Sequence, residues 1–520
     1  MNELVGLIPA SGKGTRAYPH TKKIPKGMLK IGSKPILEHL VEIQRDQLGI
    51  RRIFIVVGSL GDIIREYFGD GSRFGVQIEY LQNDAVDLGL AYSVSMGEQY
   101  IDQPFLLMLS DEYYQDSDHF RLTKLPCEGE AAFVADKKPP ASAGANPGAG
   151  AARSAEEELE TGTDAVDFQN TLGYCALMRT QDWKSISRNY TVRIEGDRIV
   201  RLIEKPTSGD RGLLGTGTFI LSPRIFGYLK KALAEKKRAV DFIGVLDDAV
   251  QKGEKLHPFF IQGSYVNVND VDSLNWANYL RRSRKLPSAS LSVIIQSLGV
   301  EEGLSLMASE FNDQTRVSEV LVVVPSGTKK PEWVSTLGKT RWLEAPPGSA
   351  EYGSMISYGL EQAHGDLLAV VEGYYSFYPS DLSKFLSYIA DADLVLGTRT
   401  TRQLIQQGSR MRGRVWLAHV FLGKLVELCW IRHRIRLTDV GCTYRVLWRN
   451  SYIDIRDRLR SAGPEYVLEM DIEMLRSRKR LIEVPVSFLN PNEVLAERHQ
   501  NVSVFLRMLK TIVRKRLGLN

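Results

Sequence analysis

Leu7 to Lys34 reads LIPASGKGTRAYPHTKKIPKGMLKIGSK, and the reading of the whole chain turns on this stretch. An apolar strand, Leu4 to Pro9, runs directly into Ser11-Gly12-Lys13-Gly14-Thr15-Arg16. Glycines after a strand let backbone N–H groups approach a polyphosphate with no Cβ in the way. Arg16 adds a forked donor for phosphate oxygens, and Lys26, directly after Pro25, adds a point charge. Alone, a glycine-rich turn is equally well a tight strand-to-helix loop. The ordered set G-x-G-T-R, P-K and Lys34-Pro35 is what gives it chemical meaning.

Outward from this turn, short apolar runs at Arg52–Val57, Phe105–Leu109, Ala131–Ala135 and Gly217–Leu221 alternate with helical stretches. The alternation predicts a mostly parallel sheet covered by helices over residues 1–280, with ligands at the carboxyl ends of the strands. The basic stretch after it reads as an exposed linker over 281–289. A second alternating pattern then begins, with strands at Leu291–Ile295, Val320–Val324, Leu367–Val371 and Leu394–Leu396. The expected fold class is α/β, as two consecutive Rossmann-like domains at 1–280 and 290–520. Residues 137–166 interrupt the first pattern. Their centre, PPASAGANPGAGA (Pro139–Ala151), holds only Pro, Ala, Ser, Gly and Asn and reads as a disordered insertion.

At 520 residues the chain is long enough for two cores, and 43% hydrophobic with 25% charged residues describes an ordinary globular composition. Cys127, Cys175, Cys429 and Cys442 show no C-x-x-C spacing, which suits a reducing, cytoplasmic setting. No signal peptide and no run long enough to span a membrane is apparent. The net charge of +5 is unevenly spread. Ten basic and two acidic residues fall between Arg402 and Arg449, and six basic and no acidic residues follow from Arg498. A partner for positive charge is therefore sought at the C-terminal end; no nucleic acid partner is expected.

Further motifs follow in order. Gln82 precedes Leu88-Gly89-Leu90-Ala91, and the run from Phe105 ends in Ser110-Asp111-Glu112. Thr171-Leu-Gly173-Tyr174, Ile203-Glu204-Lys205-Pro206 and Tyr265-Val-Asn267-Val-Asn269-Asp270 come later. With the opening stretch, these resemble the signature of sugar-1-phosphate nucleotidylyltransferases. The resemblance implies a nucleotide held by Ala10, Gly12, Gly14 and Thr15, with Gln82 and Gly89 at a pyrimidine base. It implies Arg16 and Lys26 at the reacting phosphates, Gly173 and Glu204 at sugar hydroxyls, and Lys205 at the sugar phosphate. Asp111 and position 267 would hold Mg²⁺ or Mn²⁺. Two departures bear on this: Val86 stands where many members have proline, and Asn267 where many have a second aspartate. Asparagine still offers a neutral oxygen, an arrangement similar to the N-acetylglucosamine-1-phosphate uridylyltransferase branch; the lost charge weakens the metal site without abolishing it.

The implied reaction asks little of the protein beyond positioning and charge. A sugar 1-phosphate is already an anion near neutral pH, since a second phosphate pKa lies near about 6, so no general base is required. Arg16, Lys26, Lys205 and the metal would supply alignment and charge neutralisation.

In the second half, Leu291-Ser-Val-Ile-Ile and Thr438-Asp439-Val440-Gly441-Cys442-Thr443-Tyr444-Arg445 resemble family-2 glycosyltransferases, nearest the polyprenyl-phosphate mannose synthase branch. Gly397-Thr398-Arg399, Glu465–Glu473 and Leu481–Val486 continue the match. The resemblance implies a donor site at the family's Asp-x-Asp, here Glu372-Gly373-Tyr374, and an acceptor side with Asp439 and Arg445. Tyr374 replaces one carboxylate, so the domain is either an active transferase to a polyprenyl-phosphate or glycan acceptor, or a degenerate binding or scaffold domain. Residues 502–517, VSVFLRMLKTIVRKRL, form a basic amphipathic helix that suits either the inner face of an anionic membrane or packing on its own domain. Three readings stay open for the chain: a nucleotidylyltransferase, a bifunctional enzyme that also transfers the sugar, and a non-catalytic nucleotide-sugar-binding subunit. NTP, with a lean to pyrimidines, and sugar 1-phosphate are the expected small-molecule partners.

Overall fold

The computed structural model describes residues 4–14, 20–124, 170–207, 212–235, 239–301, 303–400, 413–430, 435–488 and 502–519. Thr15, Arg16, Cys127, the expected strand Ala131–Ala135 and the expected insertion at 137–166 lie outside them. The chain divides into two compact units, Met1–Leu274 and Asn275–Asn520.

The first unit is built on β1 (Val5–Ala10), six residues buried end to end. A short hairpin, β2 (Lys30–Ile31) and β3 (Lys34–Pro35), follows, then β4 (Arg52–Val57), β5 (Gln77–Gln82) and β6 (Phe105–Met108). β5, β4, β1 and β6 lie side by side in that order, all parallel. Strands covered on both faces read as continuous apolar runs, which is why β1 and β4 stand out in the sequence. Val5, Leu7, Phe54, Val56, Phe105 and Leu107 point into one core, closed by residues of the helices Leu90–Ser95, Ile225–Glu235 and Phe242–Gln251.

Beyond β6 the sheet changes character. After β7 (Glu112–Gln115) and β8 (Gly173–Arg179), β9 (Tyr190–Glu195) and β10 (Arg198–Glu204) form a hairpin whose turn uses Gly196 at φ 60°. β11 (Leu213–Leu221) returns antiparallel to β6, β8 and β9. The first sheet is therefore parallel on the side of the glycine-rich turn and largely antiparallel beyond it, less uniform than the sequence pattern predicts. β12 (Leu256–Phe260) pairs with β8, and β13 (Ser264–Asn267) pairs antiparallel with β7.

The second unit holds β14 (Leu291–Gln296), β15 (Glu319–Val324), β16 (Thr340–Glu344), β17 (Leu367–Glu372), β18 (Leu394–Thr398), β19 (Arg445–Trp448) and β20 (Leu481–Pro485). They lie in the order β16-β15-β14-β17-β19-β18-β20, with only β19 antiparallel to its neighbours. Successive side chains alternate between two cores: Val293, Ile295, Val320 and Val322 on one face, Ile294, Leu321, Val323 and Leu368 on the other.

One sequence expectation changes here, and for the terminal helix one of the two expected settings is seen. The stretch read as a linker, 281–289, is ordered: the helix Val271–Lys285 runs into it, and a 3-10 turn covers Leu286–Ser288. Its charges have partners in the second unit, Arg282 on Asp393 at 2.6 Å and Lys285 on Asp366 at 3.3 Å. The terminal helix Val502–Leu517 packs on its own domain, with Val504, Met508 and Ile512 in the core. Lys515, 6% exposed, is held by Glu469 at 2.7 Å and Glu473 at 3.0 Å.

Candidate active site

In the first unit β1 lies between β4 and β6, and the chain runs from β1 to β4 and β5 on one side before crossing to β6 on the other. A crevice opens at the carboxyl end of β1, where chain segments diverge. A cleft of about 240 Å³ lies there, lined by Ala10, Ser11, Gly12, Lys13, Pro25 and Gly58 among others. Gly58 is required by packing, because a Cβ there would sit 2.6 Å from the Ser11 carbonyl. Gly14 adopts φ +60°, and its carbonyl accepts from the Thr21 hydroxyl at 2.6 Å. Asn83 fixes the floor of the turn: its amide donates to Ser11 Oγ at 3.2 Å and Ser93 Oγ at 3.0 Å. No sequence motif singled out Asn83.

Lys26 is the best-defined cation of the site, its side chain 13% exposed. It donates to Asp111 Oδ2 and to Asn269 Oδ1, the latter at 2.7 Å. Asp111 stands just past β6, and β13 runs alongside β7 so that Val268 N donates to Asp111 O at 2.8 Å. Asn269 Nδ2 reaches Asn267 Oδ1 at 2.7 Å, and Asn267 Nδ2 reaches Asn189 Oδ1 at 2.6 Å. The Asn189 carbonyl in turn accepts from Lys205 N at 2.7 Å. Lys26, Asp111, Asn267 and Lys205, separated by up to 241 positions in the chain, are thus joined by one polar path. Lys205 itself has φ 43°, a conformation a non-glycine residue holds only when its surroundings enforce it.

Beneath Asp111 lies Glu112, 1% exposed and not anticipated from the sequence. Tyr114 and Tyr265 donate their hydroxyls to it at 2.5 and 2.7 Å, and Gly217 N donates at 2.7 Å. Burial, then the neighbouring Asp111 charge, pushes its carboxyl up to about 8 against those three donors. A Cβ at Gly217 would lie 2.4 Å from Glu112 Oε1, so that glycine makes room for the carboxyl.

On the sugar side of the expected site, Glu204 accepts from Lys205 Nζ and is hydrogen-bonded to Asp241. Burial opposes its charge, but Asp241 and Lys205 hold Glu204 below its usual range; burial and then Glu204 push Asp241 up to about 6. Asp241 also caps the helix Phe242–Gln251 through Gly244 N at 2.8 Å. Gly89, at φ +88°, is pressed against this segment: a Cβ would meet the Val240 carbonyl at 3.1 Å, and Val240 N donates to Leu88 O at 3.1 Å. Gly173 is constrained more tightly still, at φ +147° with the Ile220 carbonyl 1.9 Å from a would-be Cβ. Gln82 ends β5 exposed, its amide between Arg65 at 3.0 Å and Asp84 at 3.1 Å.

In the second unit Glu372, 1% exposed, closes β17 and is in register with Gln296 of β14. It accepts from Tyr352 at 2.7 Å and Thr443 at 2.5 Å. The buried Gln296 amide has no hydrogen-bond partner among the described residues. Asp439 and Arg445 are both paired in the interior. Arg399 clasps Asp439 through Nε at 2.7 Å and a terminal nitrogen at 2.8 Å, holding its carboxyl well below the usual range despite full burial. Arg445 is fully buried and spent on Asp471 at 2.7 Å, Cys442 O at 2.6 Å and Val467 O at 2.9 Å. A buried guanidinium needs such partners, and they turn Arg445 into the interior.

Residues 5–136 match the family model described as nucleotidyl transferase. The chain is 27% identical over 264 residues to the UTP–glucose-1-phosphate uridylyltransferase AglF of Haloferax volcanii, covering 50% of this chain and 90% of that protein. It is 23% identical over 274 residues to the bifunctional protein GlmU of Methanococcus maripaludis, covering 52% of this chain and 53% of that protein. The chain thus spans about half the length of GlmU. A shorter match, 50% identical over 74 residues, is to the UTP–glucose-1-phosphate uridylyltransferase of Synechocystis, covering 14% of this chain and 19% of that protein. The first unit carries a nucleotidyl transferase domain.

Proposed function

We propose that the first unit joins a nucleoside triphosphate to a sugar 1-phosphate, forming a nucleotide sugar and pyrophosphate. The observation that carries this reading is the path from Lys26 and Asp111 through Asn269, Asn267 and Asn189 to Lys205. A phosphate oxygen of the sugar phosphate forms a bond to the α-phosphorus in line, while the bond from that phosphorus to the departing pyrophosphate breaks. Lys26 lies where it can offset charge on the triphosphate, and Lys205 is the expected grip on the sugar phosphate. Arg16 is expected to share the first task. Among the described residues no cluster of three His, Cys, Asp or Glu could hold a metal by itself. One carboxylate, Asp111, and one amide oxygen, from Asn267, fit Mg²⁺ or Mn²⁺ shared with substrate phosphates, which would counter their charge. Relatives named for UTP and glucose 1-phosphate make that pair the first to try. Pyrophosphate release is the test, over all NTPs and a panel of sugar 1-phosphates; no release with any pair, with metal present, sinks the reading.

For the second unit we read a family-2 glycosyltransferase-like domain, supported by Glu372 and the unpartnered Gln296 amide at the carboxyl ends of adjacent central strands. If active, it would use the first unit's product as donor for a polyprenyl-phosphate or glycan acceptor. A binding or scaffold role is favoured by Tyr374 and by the interior pairing of Asp439 and Arg445. Calorimetry with nucleotide sugars and divalent metal separates the two: heat lost in Glu372→Gln supports a donor site, and no heat with any candidate supports a scaffold.

Peripheral contact with an anionic membrane is supported by the faces left outward. Leu506, Val513 and Leu517 are exposed on the terminal helix, and Leu417, Phe421 and Leu428 on the helix Gly413–Cys429. Phe421 and Phe505 meet between them with ring centroids 6.3 Å apart. Exposed Arg507, Lys510, Arg514 and Arg516 flank the apolar stripe. Among the described residues no helix is long and apolar enough to cross a membrane. Binding to phosphatidylserine vesicles that weakens as salt rises is expected, and equal binding to neutral vesicles at all salt concentrations argues against it.

A further inference from the structure

The three asparagines between the two lysines are not interchangeable hydrogen-bonding groups, because the path they form has a direction. Lys26 Nζ can only donate, and it donates to Asn269 Oδ1 at 2.7 Å. Asn269 must then turn its Nδ2 to Asn267 Oδ1 (2.7 Å), and Asn267 its Nδ2 to Asn189 Oδ1 (2.6 Å). At the far end Asn189 Nδ2 meets the Ser185 carbonyl, which can only accept, at 2.9 Å. Both ends therefore fix the same polarity. Reversing the amides would aim an NH₂ group at an ammonium and a carbonyl at a carbonyl. The orientation, ordinarily a matter of assignment for an asparagine, is dictated here by chemistry.

We propose that Asn269, Asn267 and Asn189 act as a one-way amide relay that sets the position of Lys26 from the sugar-phosphate side, making Asn189 and Asn269 positioning residues. This rests on the nucleotidyl-transfer reading given above. Three observations carry it. Asn189 serves both elements at once: its side chain holds Asn267, while its backbone carbonyl accepts from Lys205 N at 2.7 Å. Lys205 adopts its strained φ of 43° at that contact, so a shift of Asn189 is felt at Lys205 directly. Asn269 is anchored independently through its backbone, whose N–H donates to Ser273 Oγ at 2.9 Å, so the base of its side chain is held rather than free to follow Lys26. A neutral relay also suits its surroundings. It links a cation that must stay near Asp111 to a second cation without adding a carboxylate that would compete for Lys26.

The polarity makes an unusual prediction. Aspartate only accepts, so its effect depends on which link it replaces. At position 189 it keeps the bond from Asn267 but turns a carboxylate oxygen toward the Ser185 carbonyl, so Asn189→Asp should lower kcat/KM by about threefold. Asn189→Leu breaks the relay and should lower kcat/KM by about tenfold, with KM for the sugar phosphate and kcat both affected. At position 267 aspartate is tolerated only if the Asn189 amide turns over. The double variant Asn189→Asp/Asn267→Asp sets two carboxylates about 2.6 Å apart and should lose far more than the two single effects combined.

The experiment is steady-state kinetics of the full chain for these four variants, with thermal unfolding as a control on folding. The expected result is the order wild type, Asn189→Asp, Asn189→Leu, with the double variant well below additivity at a melting temperature that allows folding. A purely structural asparagine would lose equally with Asp and Leu, and additive double-variant kinetics would overturn the relay. If the double variant does not fold, the Asp-against-Leu contrast at 189 decides alone. If wild type releases no pyrophosphate with any substrate pair, the functional reading fails instead. The relay is then judged by calorimetric NTP binding, which Asn269→Leu must weaken through Lys26; unchanged or undetectable binding overturns it too.

Discussion

Lys26 faces two acceptors of unlike charge, the Asp111 carboxylate and the Asn269 amide oxygen. A triphosphate entering the crevice competes for that ammonium, so the resting pairs hold it near where it is needed. Lys26→Ala should lower kcat/KM at least about a hundredfold, roughly 2.7 kcal/mol of transition-state stabilisation. Near-normal turnover of the folded variant contradicts the role. Asn267 offers a second residue-scale test. Asn267→Asp adds charge beside Asp111 and should bring half-maximal activation to a lower Mg²⁺ or Mn²⁺ concentration. Turning the Asn189 amide to donate to the new carboxylate costs its bond to the Ser185 carbonyl, a loss that should change kcat by less than about tenfold. A metal titration identical to wild type would remove position 267 from the metal site.

Elements are locked together by buried charge as much as by apolar packing. The helix Val271–Lys285 is fastened by Arg282 to Asp393, which also accepts from Ser451 Oγ at 2.7 Å and Arg480 N at 2.9 Å. Burial pushes Asp393 up, yet Arg282 and Lys479 outweigh it and hold the carboxyl at about 2. Its folded pKa lies below its ordinary 3.8, so the stabilisation is fully present above about pH 4 and is lost as pH falls through 2. A shift of that size is worth about 2 kcal/mol. Asp393→Asn should therefore lower the urea stability of the second unit by about 2 kcal/mol at pH 7, with the deficit shrinking toward pH 2. A deficit that stays constant with pH would show that packing, rather than charge, is what the substitution removed.

For the molecule as a whole, the chain is divided between two units, each with its own main sheet and its own buried interior. The Pro/Ala/Gly-rich stretch interrupts the first unit in sequence between Lys124 and Asn170, far along the chain from Lys26 and Asn267. Deleting Pro139–Ala151 should leave pyrophosphate release within about twofold, because that composition lacks the side chains of a packed core. A large loss of activity or melting temperature would mean that the segment takes part in the site.

Local chemistry wrote the large features into the sequence. The all-apolar runs of β1, β4, β14, β15 and β17 needed both faces covered, so they were visible as parallel core strands. The glycine-rich turn, Lys26, Asp111 and Asn267 were visible because their spacing along the chain carries meaning. The terminal helix, Val502–Leu517, was visible in its bounds from period alone. Its burial was not, since an apolar face looks the same against a membrane and against a neighbouring helix. Nor could the basic run at 281–289 be told from a linker without Asp393 and Asp366, which lie about 80 to 110 positions later. Asn189 and Glu112 belong to no periodic pattern, and the motif that holds Arg445 names a residue, not a direction. Which amide faces which, whether a guanidinium turns outward or inward, and whether a carboxyl stays protonated depend on groups that meet only when distant strands pair. Sequence determined what could be built at the carboxyl end of β1, and tertiary structure decided which side chains met there.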